Sequence, residues 1–173
     1  MRVNPYGEDP VRLAIDLVND PPESWRDLAD RCTAAGVIIP EGSEGESEVL
    51  SVKRLMEDWL RIVDAPSPEQ RATVLNQLLE SSSTHPMLTN HAGTEWHLHY
   101  RPDEARLADV LASMIYVGTA LHLVGRGMHR LGSCQLEECP RIFVDLSRPG
   151  TQRHCSAQCA NRNAVRRHRA LRH

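Results

Sequence analysis

Four cysteines crowd the C-terminal part of this 173-residue chain: Cys134 and Cys139, then, after fifteen intervening residues, Cys155 and Cys159. Two short pairs, C-x4-C and C-x3-C, a β-hairpin's length apart have the spacing of a four-thiolate zinc site. Zn²⁺ takes about four soft ligands at about 2.3 Å in a tetrahedron, and two close pairs deliver them from one small loop. Disulfides would need an oxidising compartment. The N-terminus MRVNPYGEDPVRLAIDLV lacks the apolar core of a signal peptide, and Cys32 would be left over. The neighbours Gln135, Glu137, Glu138, Arg153 and His154 are too polar for a core of free thiols. The expectation is one structural Zn²⁺ on Cys134, Cys139, Cys155 and Cys159. Four thiolates leave no position open for a reacting water, so such a site organises structure and carries no catalysis.

Charge is as unevenly placed as cysteine. Residues 1–125 hold 10 Lys+Arg against 20 Asp+Glu, a net of −10, while residues 126–173 hold 10 Arg against 3 acids, a net of +7. An acidic body and a cationic arm point to two tasks, with DNA as the arm's first partner. The alternative is that the halves neutralise each other within one molecule. In NRNAVRRHRALRH, Arg162, Arg166, Arg169 and His173 fall at i, i+4, i+7 and i+11, with Arg167 and Arg172 beside them. Such a stripe tracks phosphates or offers guanidinium groups to guanine edges in a major groove. The bland counterpart is a solvated face, with Ala164, Val165 and Leu171 packed on the body. Asn161 could hydrogen-bond a base, but the favoured reading is a bond to backbone near the helix start.

The body reads as helical. Pro10 precedes VRLAIDLVND, where Leu13, Leu17 and Val18 share a face, and Pro21-Pro22 ends it. Ser24, Asp27 and Gly36 give an N-cap, a near capping box and a C-terminal glycine. EGSEGESE is an acidic loop with no means of burying itself, followed by Val52, Leu55, Met56, Trp59 and Val63 at helical spacing. Ser67-Pro68-Glu69-Gln70 opens another helix carrying Val74, Leu75, Leu78 and Leu79. Over residues 87–101 the period changes to two. Trp96, Leu98 and Tyr100 alternate with His97 and His99, which predicts a hairpin with one buried face. Asp103 is expected to cap a long helix with the apolar stripe Leu107, Val110, Leu111, Met114, Val117, Leu121 and Val124, in which Gly118 allows close packing. Gly125, Gly127 and Gly132 loosen the junction that follows. The division expected is 1–128 for a helical domain and 129–173 for the zinc module.

Within the module, Arg141–Asp145 has strand composition, Ser147–Gly150 a turn, and Thr151–His154 the length to return as a second strand. Cys155 lies before a helix and Cys159 one turn into it, so both thiolates share a helical face near its positive end. Knuckle, hairpin and ligand-bearing helix describe a treble-clef-like finger. The fold class is therefore mostly α with a small β-hairpin, a helical N-terminal domain followed by this finger.

The stretch CQLEECPRIFVDLSRPGTQRHCSAQCANRNAVRRHRA resembles the finger of bacterial proteins that join an ABATE-type domain to a CGNR zinc finger. The matching features are the first cysteine pair, then Phe143, Asp145, Ser147 and Arg148, then the second pair running into Asn161 and Arg162. AIDLVND, WHLHY and the long helix after Pro102-Asp103 are similar to the ABATE part. The resemblance implies a stress-induced transcription regulator. Residue 160 is Ala where the family name has Gly, giving CANR; alanine suits a helix, so the finger is expected to survive.

Other function classes find less support. There is no P-loop, no G-x-G-x-x-G after a strand and no deaminase signature, and GSEGES lacks the context of a nucleophile elbow. Cys32 reads as a core residue. No uninterrupted run of about 18 apolar residues exists, so a membrane span is not expected. Trp96, His97, His99 and Tyr100 are candidates for a ligand pocket. A metal on His97 and His99 with His91 or His85 is the less favoured option. The reading is a cytoplasmic, non-enzymatic, zinc-dependent DNA-binding regulator whose N-terminal domain senses a small-molecule effector or assembles, a homodimer being compatible. The alternatives are an interaction adaptor with structural zinc, or a small-molecule-binding protein or enzyme centred on WHLHY.

Overall fold

The computed structural model describes residues 7–90, 96–101 and 104–170, without the side chain of His97. Helices α1 (Glu8–Asn19), α2 (Trp25–Ala34), α3 (Glu46–Asp64) and α4 (Pro68–Ser82) precede hairpin β1 (Met87–Thr89)–β2 (His97–His99). Helix α5 (Leu107–Arg126), hairpin β3 (Leu131–Ser133)–β4 (Ile142–Val144) and helix α6 (Ala157–Ala170) complete the order. The protein is mostly α with small antiparallel hairpins, as the periodicity predicts.

Local capping explains several boundaries. Ser24 and Ser67 accept the backbone N–H groups of Asp27 and Gln70, satisfying donors that the first turn of α2 and of α4 leaves without helical partners. Helix α2 ends at Gly36 with φ 74°, where Val37 N–H donates to Cys32 O and Gly36 N–H to Thr33 O. Cys32 is fully buried, and burial pushes its thiol up to about 11, as suits a core residue. Helix α1 begins before Pro10 rather than after it. Pro10 sits in the first turn, where a missing N–H costs nothing, behind Glu8 and Asp9, which suit the positive helix end.

Two expectations about loops are overturned. The acidic segment 41–48 is not wholly solvated: Ser43 and Glu48 are almost fully enclosed, while Glu41, Glu44 and Glu46 stay exposed. The Ser43 hydroxyl accepts from Leu107 N–H at 3.0 Å, and Glu48 accepts from Ala108 N–H at 3.2 Å while pairing with Arg106. These bonds cap α5 from sixty residues away, with Arg106 in the cap position; Asp103 lies outside the described residues. The β1–β2 register is Met87↔His99, Leu88↔Leu98 and Thr89↔His97, but its apolar face is open. Trp96 is 65 % exposed and Leu98 50 %, because among the described residues no other element packs extensively on the hairpin.

Helix α5 is the axis of the core. By length and composition alone it would pass for a membrane span despite the absence of an uninterrupted apolar run, yet most of it is buried against α1, α3 and α4. Trp59 is fully buried, and its indole N–H donates to Thr119 Oγ1 at 2.9 Å, placing the polar handle of the largest core side chain. Helices α1 and α5 meet backbone to backbone at Gly7 and Gly118, as the sequence suggested for Gly118.

The junction after α5 is anchored rather than loose. Leu131 and Ile142 belong to the same core as the helices. Asn19 brackets β4, donating to Ile142 O at 3.0 Å and accepting from Ile142 N–H at 2.9 Å, while Asp20 pairs with Arg141 at 2.7 Å. Arg71, buried on α4, donates to the carbonyls of Ile62 and Val63 at the end of α3, and to those of Met128 and Leu131. One guanidinium thus closes α3 and ties β3 to the body. The expected return strand at 151–154 is absent; β4 pairs with β3 upstream instead. Asp145 is the reason. Its carboxylate accepts from Ser147 N–H and Gln152 N–H, which folds 145–152 into a loop.

Gly118→Ala places a methyl group 2.7 Å from Pro10 Cβ. The helix-propensity gain of about 1 kcal/mol is outweighed by overpacking against a proline ring, so a net loss of about 1–2 kcal/mol is expected in urea unfolding. Unchanged or raised stability would show that α1 yields at this crossing.

Candidate metal centre and the basic helix

Cys134 and Cys139 occupy the tip of the β3–β4 hairpin. Cys134 N–H donates to Arg141 O at 2.9 Å, and Cys139 N–H returns to Leu136 O at 2.8 Å, forming a tight knuckle over the buried Leu136. Cys155 precedes α6 and Cys159 lies one turn into it. The Ser156 hydroxyl accepts from Cys159 N–H at 3.2 Å, a short N-terminal cap that sets the turn between the two. The two pairs converge. Sulfur–sulfur separations are 3.7 Å for Cys139–Cys155, 3.6 Å for Cys155–Cys159 and 3.8 Å for Cys159–Cys139, and all four sulfurs lie within 4.8 Å of one another.

This geometry matches a metal rather than bonded sulfur. A tetrahedron with metal–sulfur bonds of about 2.3 Å requires sulfurs about 3.8 Å apart, against about 2.05 Å in a disulfide. The electrostatics agree. Burial pushes the Cys155 thiol up to about 12, aided by the sulfurs of Cys159, Cys139 and Cys134. At Cys134 burial raises the thiol, but the N–H groups of Cys155 and Leu136 outweigh it and hold it below its ordinary value. Thiolates this crowded repel unless a cation lies between them. The four cysteines are positioned to hold one structural zinc ion, and an all-sulfur set leaves no place for catalytic water. Among the described residues no other group of His, Cys, Asp or Glu converges as a metal site; His85 is exposed, and His91 lies outside the described residues.

The sulfurs determine where α6 goes, since the helix has no buried residue. Ala164 and Val165 are exposed, which overturns their packing on the body; Leu171 lies outside the described residues. The sequence stripe divides in two. Arg162 pairs with Glu138 at 3.0 Å, and Arg166 with Glu138 at 3.1 Å and with Glu137. Arg167 and Arg169 stay exposed and form no such pair among the described residues, and Arg172 lies outside them. The two glutamates were not foreseen as partners. Their position between the two knuckle cysteines was the available signal, because zinc must bring that loop against the helix. Asn163, rather than Asn161, makes the local bond, to His154 at 3.0 Å; Asn161 is exposed.

Beneath the finger, Arg130 and Asp145 are both buried, 3.6 Å apart. Arg130 also donates to the carbonyls of Arg126 and Ser147, at 2.8 and 2.6 Å. Burial raises the Asp145 carboxyl, but hydrogen bonds from Ser147 and Gln152 and the Arg130 charge hold it below the usual range. Of the other candidate residues, Trp96 projects into solvent, while His99 and Tyr100 are partly buried, the Tyr100 carbonyl accepting from Thr84 N–H at 2.7 Å.

Residues 130–172 match the CGNR zinc finger. Residues 11–125 match ABATE, described as a putative stress-induced transcription regulator. No curated protein matches the chain.

Two outcomes are expected. Purified protein carries about one zinc per chain by elemental analysis, and Cys155→Ser with Cys159→Ser abolishes it and removes hydrogen-exchange protection across 155–170 while sparing α3 and α5. Asp145→Asn lowers stability by about 1–3 kcal/mol at pH 7. Because the folded carboxyl titrates below its unfolded value, the Asp145 contribution is present above about pH 4 and fades as pH falls through the folded value. The deficit of Asp145→Asn should therefore shrink in acid unfolding, and a deficit that persists unchanged would contradict the assignment.

Proposed function

The chain belongs to the ABATE family of putative stress-induced transcription regulators and carries a CGNR zinc finger, and from that premise we propose that it is a zinc-dependent DNA-binding regulator. The observation that carries the reading is α6: a helix with four arginines, no acid and no buried residue, held out from an acidic body by a metal-ligand cluster. A helix fixed to the fold by its first turn and solvated elsewhere suits insertion into a groove, and arginine suits phosphate and guanine alike. In this reading residues 129–173 are a treble-clef-like module that supplies the DNA surface, and residues 1–128 sense an effector or assemble.

Glu137 and Glu138 refine the roles of the arginines. Arg162 and Arg166 must exchange these carboxylates for phosphates, whereas Arg167 and Arg169 engage directly. The same pairs favour the second reading, an adaptor whose helix receives an acidic protein, since carboxylates already satisfy two of its arginines.

Binding to duplex DNA across a salt series separates the readings. Arg167→Ala with Arg169→Ala is expected to reduce the slope of log K against log[salt] by about 1 to 2, whereas Glu137→Gln with Glu138→Gln strengthens binding by freeing Arg162 and Arg166. Slopes that ignore the arginine changes would remove α6 from the interface. Absence of DNA binding by zinc-loaded protein would leave the adaptor.

A further inference from the structure

A cleft of about 480 Å³ lies between α3, α4 and the first half of α5. Its floor is apolar, formed by Leu55, Leu78 and Ala112, all buried, with the ring of Tyr116. Ser47 and Ser51 offer hydroxyl groups along the α3 wall. That volume and that mixture of an apolar floor with a few polar groups fit a small molecule.

Two features say which molecule. Most charges in the cleft already have partners: Glu48 pairs with Arg106, and Asp58 with Arg61, outside the lining, at 3.1 Å. That leaves Arg54 on α3 and Asp109 on α5, a cation and an anion, neither of which forms an ion pair among the described residues. The second feature is Tyr116. Its residue surface is only 3 % exposed, yet it lines the cleft and its hydroxyl makes no hydrogen bond to the described residues. The hydroxyl oxygen is not among the fully enclosed polar atoms, so it keeps surface and is available as a donor to a molecule in the cleft. Burial, reinforced by the Asp58 charge, pushes its ionisation above the usual range, so it acts as a neutral donor.

We propose that this cleft binds a free amino acid with an apolar side chain. The ammonium group meets Asp109, the carboxylate meets Arg54 and accepts from the Tyr116 hydroxyl, and the side chain lies on Leu55, Leu78 and Ala112. A zwitterion satisfies both charges without adding net charge to the site, and a free amino acid is the smallest that also brings an apolar side chain to the floor. The proposal gives the sensing role of residues 1–128 a ligand and rests on that reading only for its consequence. Binding is measured without DNA, so either idea survives failure of the other.

The test is calorimetric titration of zinc-loaded, full-length protein with each of the twenty proteinogenic L-amino acids. Saturable binding is expected for members with apolar side chains. The tightest of them should lose about tenfold or more when tried as its des-amino acid or as its decarboxylated amine, and similarly against Arg54→Gln and against Asp109→Asn. Both substituted side chains are solvent-facing, so these variants keep the fold. Tyr116→Phe removes only the donor and should weaken binding several-fold. The proposal is overturned if no amino acid saturates up to about 10 mM, if a singly charged analogue binds as tightly as the zwitterion, or if Arg54→Gln and Asp109→Asn leave the affinity unchanged.

Discussion

Four sulfur atoms held at tetrahedral spacing carry a structural task that hydrophobic burial performs elsewhere in the molecule. Helices α1, α3 and α5 are fixed by apolar faces that lose water on packing. Helix α6 has no such face; its attachments are Cys155 and Cys159, the His154–Asn163 bond, and ion pairs from Glu137 and Glu138. The ion pairs are solvent-exposed, and such pairs contribute at most about 1 kcal/mol each. Metal–thiolate bonds, at about ten times that for a whole structural site, decide where the helix stands. A strongly cationic helix can remain fully solvated and still be oriented only because its anchor is coordination chemistry rather than a core.

The finger is integrated at its root and free at its tip. Leu131 and Ile142 share the core with α1 and α3, and the buried Arg130–Asp145 pair ties the loop after β4 to the end of α5. Desolvation of that pair is offset by carbonyl acceptors around Arg130 and by N–H donors around Asp145, the condition under which a buried ion pair is tolerable. Burial falls only after the Asp145 loop, so the packing that fixes the root gives way to the metal at α6.

Much of this was legible because it is local. Ser24 and Ser67 announce helix starts through bonds three residues long, and Trp59 and its neighbours show the helical period directly. The cysteines announce a cluster because zinc restricts spacing more tightly than most folds restrict sequence. Non-local features were hidden. Ser43 and Glu48 cap a helix sixty residues downstream, so 41–48 reads as solvated until α5 is in place. Alternation over Trp96–Tyr100 gave the β1–β2 strand but not its cover, since period two specifies a face without saying whether anything lies on it. The return strand expected at 151–154 lost to Asp145, a carboxylate that gathers the loop into itself. Glu137 and Glu138 looked like ordinary surface acids for the same reason: their partners arrive only through the sulfurs.

Arg71 links the two ends of this arrangement. It sits on α4, donates to the carbonyls of Ile62 and Val63 near the end of α3, and donates to those of Met128 and Leu131 at the base of the finger. One planar group on α4 therefore bonds the end of α3 and the start of β3 together. Helix α6 projects about 21 Å along its axis, so it acts as a pointer that magnifies a small rotation at its base into ångströms at its end. That base is held by several bonds at once, from Arg71, from Asn19 and from the buried Arg130–Asp145 pair, so the direction of the arginine helix is set by the body as a whole.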